Sequence, residues 1–232
     1  MMRRRSIQLA ALALALVGYW LPWFTHPVAA LRLNGYELSE WVTFLPGVRD
    51  GSLPLNRLVF LLPLGCLALL LGLAATWRAS RPPTLLTAAP IEPAQTAPRG
   101  GLYALLPSIH GLGGWGLLLL SLVCVFSVFP PYPYLFTAYA DPEYRTQLLV
   151  ASLGVVVLLL ALYLPPDLKA ALQIVLAALG GGLGLWSLLV LRPAASDLLG
   201  ANWAIGLGWP IMLAGFALLA LGGLQELFGP RL

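Results

Sequence analysis

The sequence predicts an all-α, polytopic transmembrane bundle of about six helices, and three observations carry that prediction. Hydrophobic residues make up 59% of the 232 positions and charged residues only 9%. The mean hydropathy of +0.86 lies far from the balance of a water-soluble domain. The apolar residues gather in long continuous runs without two-residue alternation, which favours helices over barrel strands, because a lipid-embedded segment must satisfy its own backbone hydrogen bonds.

A helix rising about 1.5 Å per residue needs about 20 apolar residues to cross a hydrocarbon core about 30 Å thick. Runs at 6–24, 58–77, 105–129, 147–164, 169–191 and 203–228 meet that test. With both termini cytoplasmic, the inner side carries Arg3, Arg4, Arg5, Arg78, Arg81, Arg99, Lys169 and Arg231. The outer side then carries Arg32, Arg49, Arg57, Arg145 and Arg192. Acidic residues lean the other way, three inside and six outside, so the inner face is net +5 and the outer face net −1. This asymmetry favours that orientation, since Lys and Arg are retained on the cytoplasmic side. The overall charge of +4 is scattered along the chain, so no nucleic-acid partner is expected. The Arg3–Arg5 cluster followed by an apolar run also imitates a secretory signal peptide, but Trp20, Trp23 and Phe24 read as the outer interfacial anchor of a retained helix. Arg-rich, Lys-poor composition, with abundant Ala, Leu, Gly and Pro, fits a GC-rich genome, and the expected location is a bacterial cytoplasmic (inner) membrane.

Three sections follow. Residues 1–77 hold the first two helices and an outer loop at 25–56. Residues 78–104 form a Pro/Ala-rich cytoplasmic linker without hydrophobic periodicity. Residues 105–232 hold helices three to six. In the outer loop, Leu31-Arg32-Leu33, Asn34-Gly35 and Tyr36-Glu37-Leu38 carry the pattern of a type I′ hairpin. A short interfacial helix is expected over 39–45, offering Trp41, Phe44 and Leu45 to headgroups or a partner and ended by Pro46-Gly47. Tyr36, Tyr132, Tyr134, Phe136, Tyr139, Tyr144 and Trp203 share that aromatic outer face. The short link Pro165-Pro166-Asp167-Leu168 predicts that helices four and five are antiparallel neighbours.

Candidate chemistry is sparse. No ionisable residue falls at the centre of any run, which weighs against a proton pump, because a charge in lipid costs about 2.5–3.5 kcal/mol on insertion scales. His110, beside Ser108, Gly111, Gly113, Gly114 and Trp115, is the one candidate ligand for a haem or chlorophyll, set against the commoner role of a hydrogen-bonded interfacial residue. His26 in a Thr25-His26-Pro27 turn shares a loop with Glu37, Glu40 and Asp50, but the spacing matches no metal motif. Cys66 and Cys124 lie in apolar runs and read as small core residues. No metal or catalytic residue is assigned, and lipid or pigment between helices is the only cofactor-like occupant considered.

Small residues are the better signal. Ala178, Gly180, Gly181, Gly182 and Gly184 on the fifth helix, and Ala68 and Gly72 on the second, predict close helix packing, within the chain more often than between copies. Pro63 and Pro210 predict bends in the second and sixth helices. The functional expectation is a non-catalytic integral subunit associating laterally with a larger bacterial membrane complex, photosynthetic or respiratory, with membrane lipids and other subunits as partners. The alternative is a permease for a neutral or lipidic substrate, lined by Ser121, Ser127, Ser152, Gln173 and Ser187. A third reading, an enzyme acting through His26 at the outer interface, has the least support.

Overall fold

The computed structural model describes residues 2–26, 31–77, 111–199 and 203–228. Over these residues the chain is mostly helical and a small sheet is present. In order, the elements are α1 (Met2–Trp20), β1 (Phe24–His26), β2 (Leu31–Leu33), α2 (Gly35–Trp41), a 3-10 turn (Val42–Phe44), α3 (Pro46–Arg49), α4 (Arg57–Ala75), α5 (Gly111–Val128), α6 (Tyr132–Leu135), α7 (Pro142–Ala161), α8 (Pro166–Leu199), β3 (Ala204–Ile205) and α9 (Gly208–Phe228). Among the described residues, four helices are long and apolar enough to cross a membrane: Arg57–Ala75, Tyr144–Ala161, Pro166–Leu198 and Gly208–Phe228. Leu112–Val128 is apolar but shorter, and α1 opens on three arginines. The linker at 78–104 and His110 lie outside the described residues.

The centre of the bundle is α4. Its apolar window is 78% buried, against 22–39% for the other three candidate spans, and it packs on α5, α8, α7, α1 and α2. Local chemistry starts it cleanly, because the Asn56 side chain accepts from the Val59 N–H and satisfies one of the donors that a helix start leaves unpaired. Its composition then makes it apolar all round, as a helix surrounded by others requires. Pro63 sits inside α4 and the helix continues through it.

Helices α7 and α8 do not form the neighbouring pair that their short connection predicts. Both lean on α4 instead, and contact between them is slight. A four-residue link fixes where two helix ends meet, but the bodies diverge when a third helix offers each a better surface. Pro166, Asp167 and Leu168 belong to the first turn of α8. That helix also runs eight residues past the expected end, through Arg192 and Pro193 to Leu199, so at 34 residues it is about 51 Å long.

The first and last helices pack most extensively with each other after folding. A Cβ on Gly18 would strike the Met212 backbone and one on Gly215 would strike Ala15, while Gly208 abuts the Leu21 carbonyl. Glycines 208, 215 and 222 recur every seven residues and form one stripe along α9. This close approach was legible as a small-residue repeat, yet the denser glycine run on α8 draws attention away from it. Pro210 is only the third residue of α9, so the bend expected there is replaced by a helix start, where a missing N–H costs nothing.

The sheet has strand order β2-β1-β3. Phe24 pairs with Leu33 on one side and with Ile205 on the other. The Gly206 and Gly208 N–H groups donate to the Trp23 and Pro22 carbonyls at 2.8 and 2.9 Å. The exit of α1 and the entry of α9 are therefore stitched together above the bundle. The hairpin expected around Asn34-Gly35 does not form. Residues 31–33 are a strand, but their partner is 24–26, and Asn34 instead caps α2. Its side chain accepts from the Glu37 N–H while Glu37 accepts from the Asn34 N–H, the reciprocal arrangement that Asn-x-x-Glu encodes. The helix placed at 39–45 thus begins at Gly35, and Pro46 opens α3 rather than closing a helix.

Candidate interfaces of the bundle

Two of the small-residue sites meet neighbouring helices. Gly180 and Gly181 lie against Phe216 of α9, a Cβ added at Gly180 would also come within 3.0 Å of the Cys66 side chain, and Gly184 faces Met212. Ala68 and Gly72 of α4 sit under α5 and α7: the Ser121 hydroxyl donates to the Ala68 carbonyl at 2.6 Å, and a Cβ on Gly72 would strike Leu158. Gly182 opens to free space and Ala178 is exposed, so the stripe on α8 is split between an inward and an outward face, as a 100° step per residue dictates.

The outer aromatic residues divide in the same way. Trp23 and Phe24 are fully buried, which replaces the interfacial anchor expected of them. The Trp23 indole donates to the Gly18 carbonyl at 3.0 Å, and Phe24 stacks between Trp41 at 5.9 Å and Trp203 at 5.2 Å. Leu45 is buried as well. The Tyr19 hydroxyl, absent from the sequence-level candidates, donates to the Phe60 carbonyl at 3.1 Å and ties α1 to α4. Aromatic rings fill this cap because each covers a large area at little entropic cost, with its polar atom still satisfied. Trp20, stacked on Tyr36 at 5.9 Å, stays partly exposed, as do Phe44, Tyr132, Tyr134, Phe136 and Tyr139. Tyr134 stacks on Tyr144 at 4.9 Å.

Beside this aromatic cap lies a buried cation that sequence reasoning missed. Arg57, at the first position of α4, would be repelled by the positive helix N-terminus. The Glu40 carboxylate offsets that at 2.9 Å, and the guanidinium lies 4.6 Å from the centre of the Tyr144 ring. Gln147 of α7 accepts from Arg57 at 3.4 Å and donates to the Val128 carbonyl at 2.9 Å. Four elements, α2, α4, α5 and α7, thereby share one polar knot. Burial raises the Tyr36 phenol above its ordinary value; the nearby Glu40 charge adds to that and Arg57 partly offsets it. The clue available in sequence was an Arg immediately following an N-cap Asn.

Other polar groups hold together the half of the bundle away from the sheet. Lys169 donates to the Thr76 hydroxyl at 2.8 Å and to the Leu162 carbonyl at 3.2 Å, capping the C-terminal ends of α4 and α7, where a cation is favoured. Gln8 donates to Glu226 at 2.9 Å, and Gln173 donates to the Leu219 carbonyl at 2.8 Å. His26 is buried on β1, opposite Leu31, rather than in an exposed turn. Among the described residues no group of three or more His, Cys, Asp or Glu could hold a metal ion.

Comparison finds no matching protein family, curated protein or solved structure.

The long helices α1, α5, α7, α8 and α9 all expose large apolar side chains, and those on α5 and α7 form regular stripes. Leu112, Trp115, Leu119, Val123 and Phe126 line one side of α5, and Leu149, Leu153, Val156 and Leu160 line one side of α7. The three- and four-residue steps put each set on a single helix face.

Proposed function

We propose that this chain is a non-catalytic integral subunit with six membrane-crossing helices (α1, α4, α5, α7, α8 and α9) and both termini on the cytoplasmic side. It associates laterally with a larger complex of a bacterial inner membrane. The observation that carries the reading is how the polar side chains inside the bundle are used. Ser121, Gln147, Gln173 and Ser187 each donate to a backbone carbonyl, at 2.6–3.0 Å, so they brace helices instead of lining a path for a substrate. Apolar stripes on α5 and α7 supply the lateral surface, where lipid gives no hydrophobic drive and association depends on packing. α1 and α5 complete the crossing count, because their apolar runs are close to span length and α1 enters through the basic cluster that the cytoplasmic side retains.

Purification of the native protein in mild detergent, with native electrophoresis and mass spectrometry of what migrates with it, tests this reading. A stoichiometric membrane partner is expected, and a chain that runs alone as a monomer overturns it.

A further inference from the structure

An open cleft of about 440 Å³ lies where α8 outruns the expected span, lined by Arg192, Ser196, Trp203 and Ile205. Arg192 and Ser196 are four residues apart on one face of α8. The Ser196 hydroxyl donates to the Arg192 carbonyl at 3.0 Å and accepts from the Trp203 indole at 2.9 Å, so the indole is held against this end of α8. Trp203 is held in turn by its stack on Phe24. Among the described residues no carboxylate lies within ion-pair distance of Arg192. Asp197 is exposed, one residue past Ser196, and does not line the cleft. The cleft thus carries one positive charge with a fork of N–H donors, a fixed indole wall and an apolar edge at Ile205.

Its level matters as much as its chemistry. Arg192 directly follows the apolar run ending at 191, so in a crossing α8 it stands where hydrocarbon gives way to headgroups. Guanidinium groups bind phosphate oxygens two at a time, and tryptophan prefers that same boundary. We propose that this cleft holds the phosphodiester of a phospholipid headgroup from the outer leaflet, with the Arg192 guanidinium donating to its phosphate oxygens. The proposal rests on the membrane-crossing part of the functional reading and is independent of any partner subunit.

The full chain in mild detergent, as wild type, Arg192→Gln and Arg192→Lys, is titrated with dioleoylphosphatidylglycerol, and bound lipid is counted by native mass spectrometry. Dioleoylglycerol serves as the headgroup-free control and inorganic phosphate as the competitor. Arg192→Gln should weaken phosphatidylglycerol binding by about tenfold or more, the scale of one lost charge-assisted pair, and Arg192→Lys should recover part of it. Dioleoylglycerol should bind the three proteins alike, and more weakly than phosphatidylglycerol binds wild type. Equal phosphatidylglycerol binding by wild type and Arg192→Gln overturns the proposal. So does equal binding of the two lipids to wild type, or displacement of the lipid by millimolar phosphate. Loss of lipid with an intact native complex separates this site from the subunit role, whereas a monomer that still discriminates the headgroup defeats only the latter.

Discussion

Arg57 is 7% exposed and Glu40 40% exposed across their 2.9 Å ion pair, so the cation is the buried partner and the carboxylate its route to solvent. Removing Glu40 takes a carboxylate from a guanidinium in the interior, which keeps its contacts to Gln147 and the Tyr144 face. Breaking a fully buried pair costs about 3–5 kcal/mol, but solvent already screens this carboxylate. Glu40→Gln should therefore cost about 1–2 kcal/mol, lowering the thermal midpoint in detergent by about 2–8 °C for a chain of this size. An unchanged midpoint would mean that the pair contributes nothing.

The α1–α9 seam gives a sharper contrast. A Cβ at Gly215 meets Ala15 backbone and side-chain atoms at 2.5–2.7 Å, whereas at Gly182 it meets nothing within 4 Å. Gly215→Ala must push two helices apart and should cost about 1–3 kcal/mol. Gly182→Ala should be neutral or stabilising, by up to about 1 kcal/mol, through helix propensity. Equal effects of the two substitutions on the unfolding midpoint would remove the seam as a determinant of stability.

How much of this was readable follows from which interactions are local. The apolar runs locate the long helices because a buried or lipid-facing helix must be greasy along its length. The sequence-based end of α8 falls short because Arg192 and Pro193 look like a stop; the helix instead runs through Pro193 to Leu199, although a proline there loses one backbone hydrogen bond and crowds the carbonyl four residues back. Asn34-Gly35 resembles a hairpin turn, but Glu37 three residues later converts Asn34 into a helix cap, a competing signal present in the same four residues. The pairing of β1 with β3 joins positions about 180 residues apart in sequence; no local pattern specifies it. The same holds for Arg57 and Gln147, whose meeting depends on α4 and α7 being neighbours.

Tyr36 offers a test by pH. Its phenol is raised above the ordinary tyrosine value of 10.0, first by burial and then by the Glu40 charge. An acid with a raised folded value binds its proton more tightly when folded, so the associated stability is complete below about pH 10 and is lost as pH rises through the folded value. The wild-type minus Tyr36→Phe ultraviolet difference titration should place this phenolate above the free-tyrosine range. A difference midpoint at or below 10 would contradict the burial and charge arrangement around α2.

The last prediction concerns the faces of the membrane. Cys66 and Cys124 are 3% and 4% exposed, so a membrane-impermeant maleimide should leave both unlabelled in intact cells and single added cysteines report cleanly. Ser52 is exposed in the turn before α4, on the side where β1, β2, α2 and α3 cap the bundle. Ala94 belongs to the Pro-rich stretch between α4 and α5, and a single crossing by α4 puts those two positions on opposite sides. Eight basic residues against five then assign Ala94 to the cytoplasm. Ser52→Cys should react in intact cells, while Ala94→Cys should react only after permeabilisation. The reverse labelling would invert the orientation, moving Arg192 and its cleft to the inner leaflet. Labelling of both positions in intact cells would show that α4 does not cross, and the hub of the bundle would then need another explanation for its uncharged, buried surface.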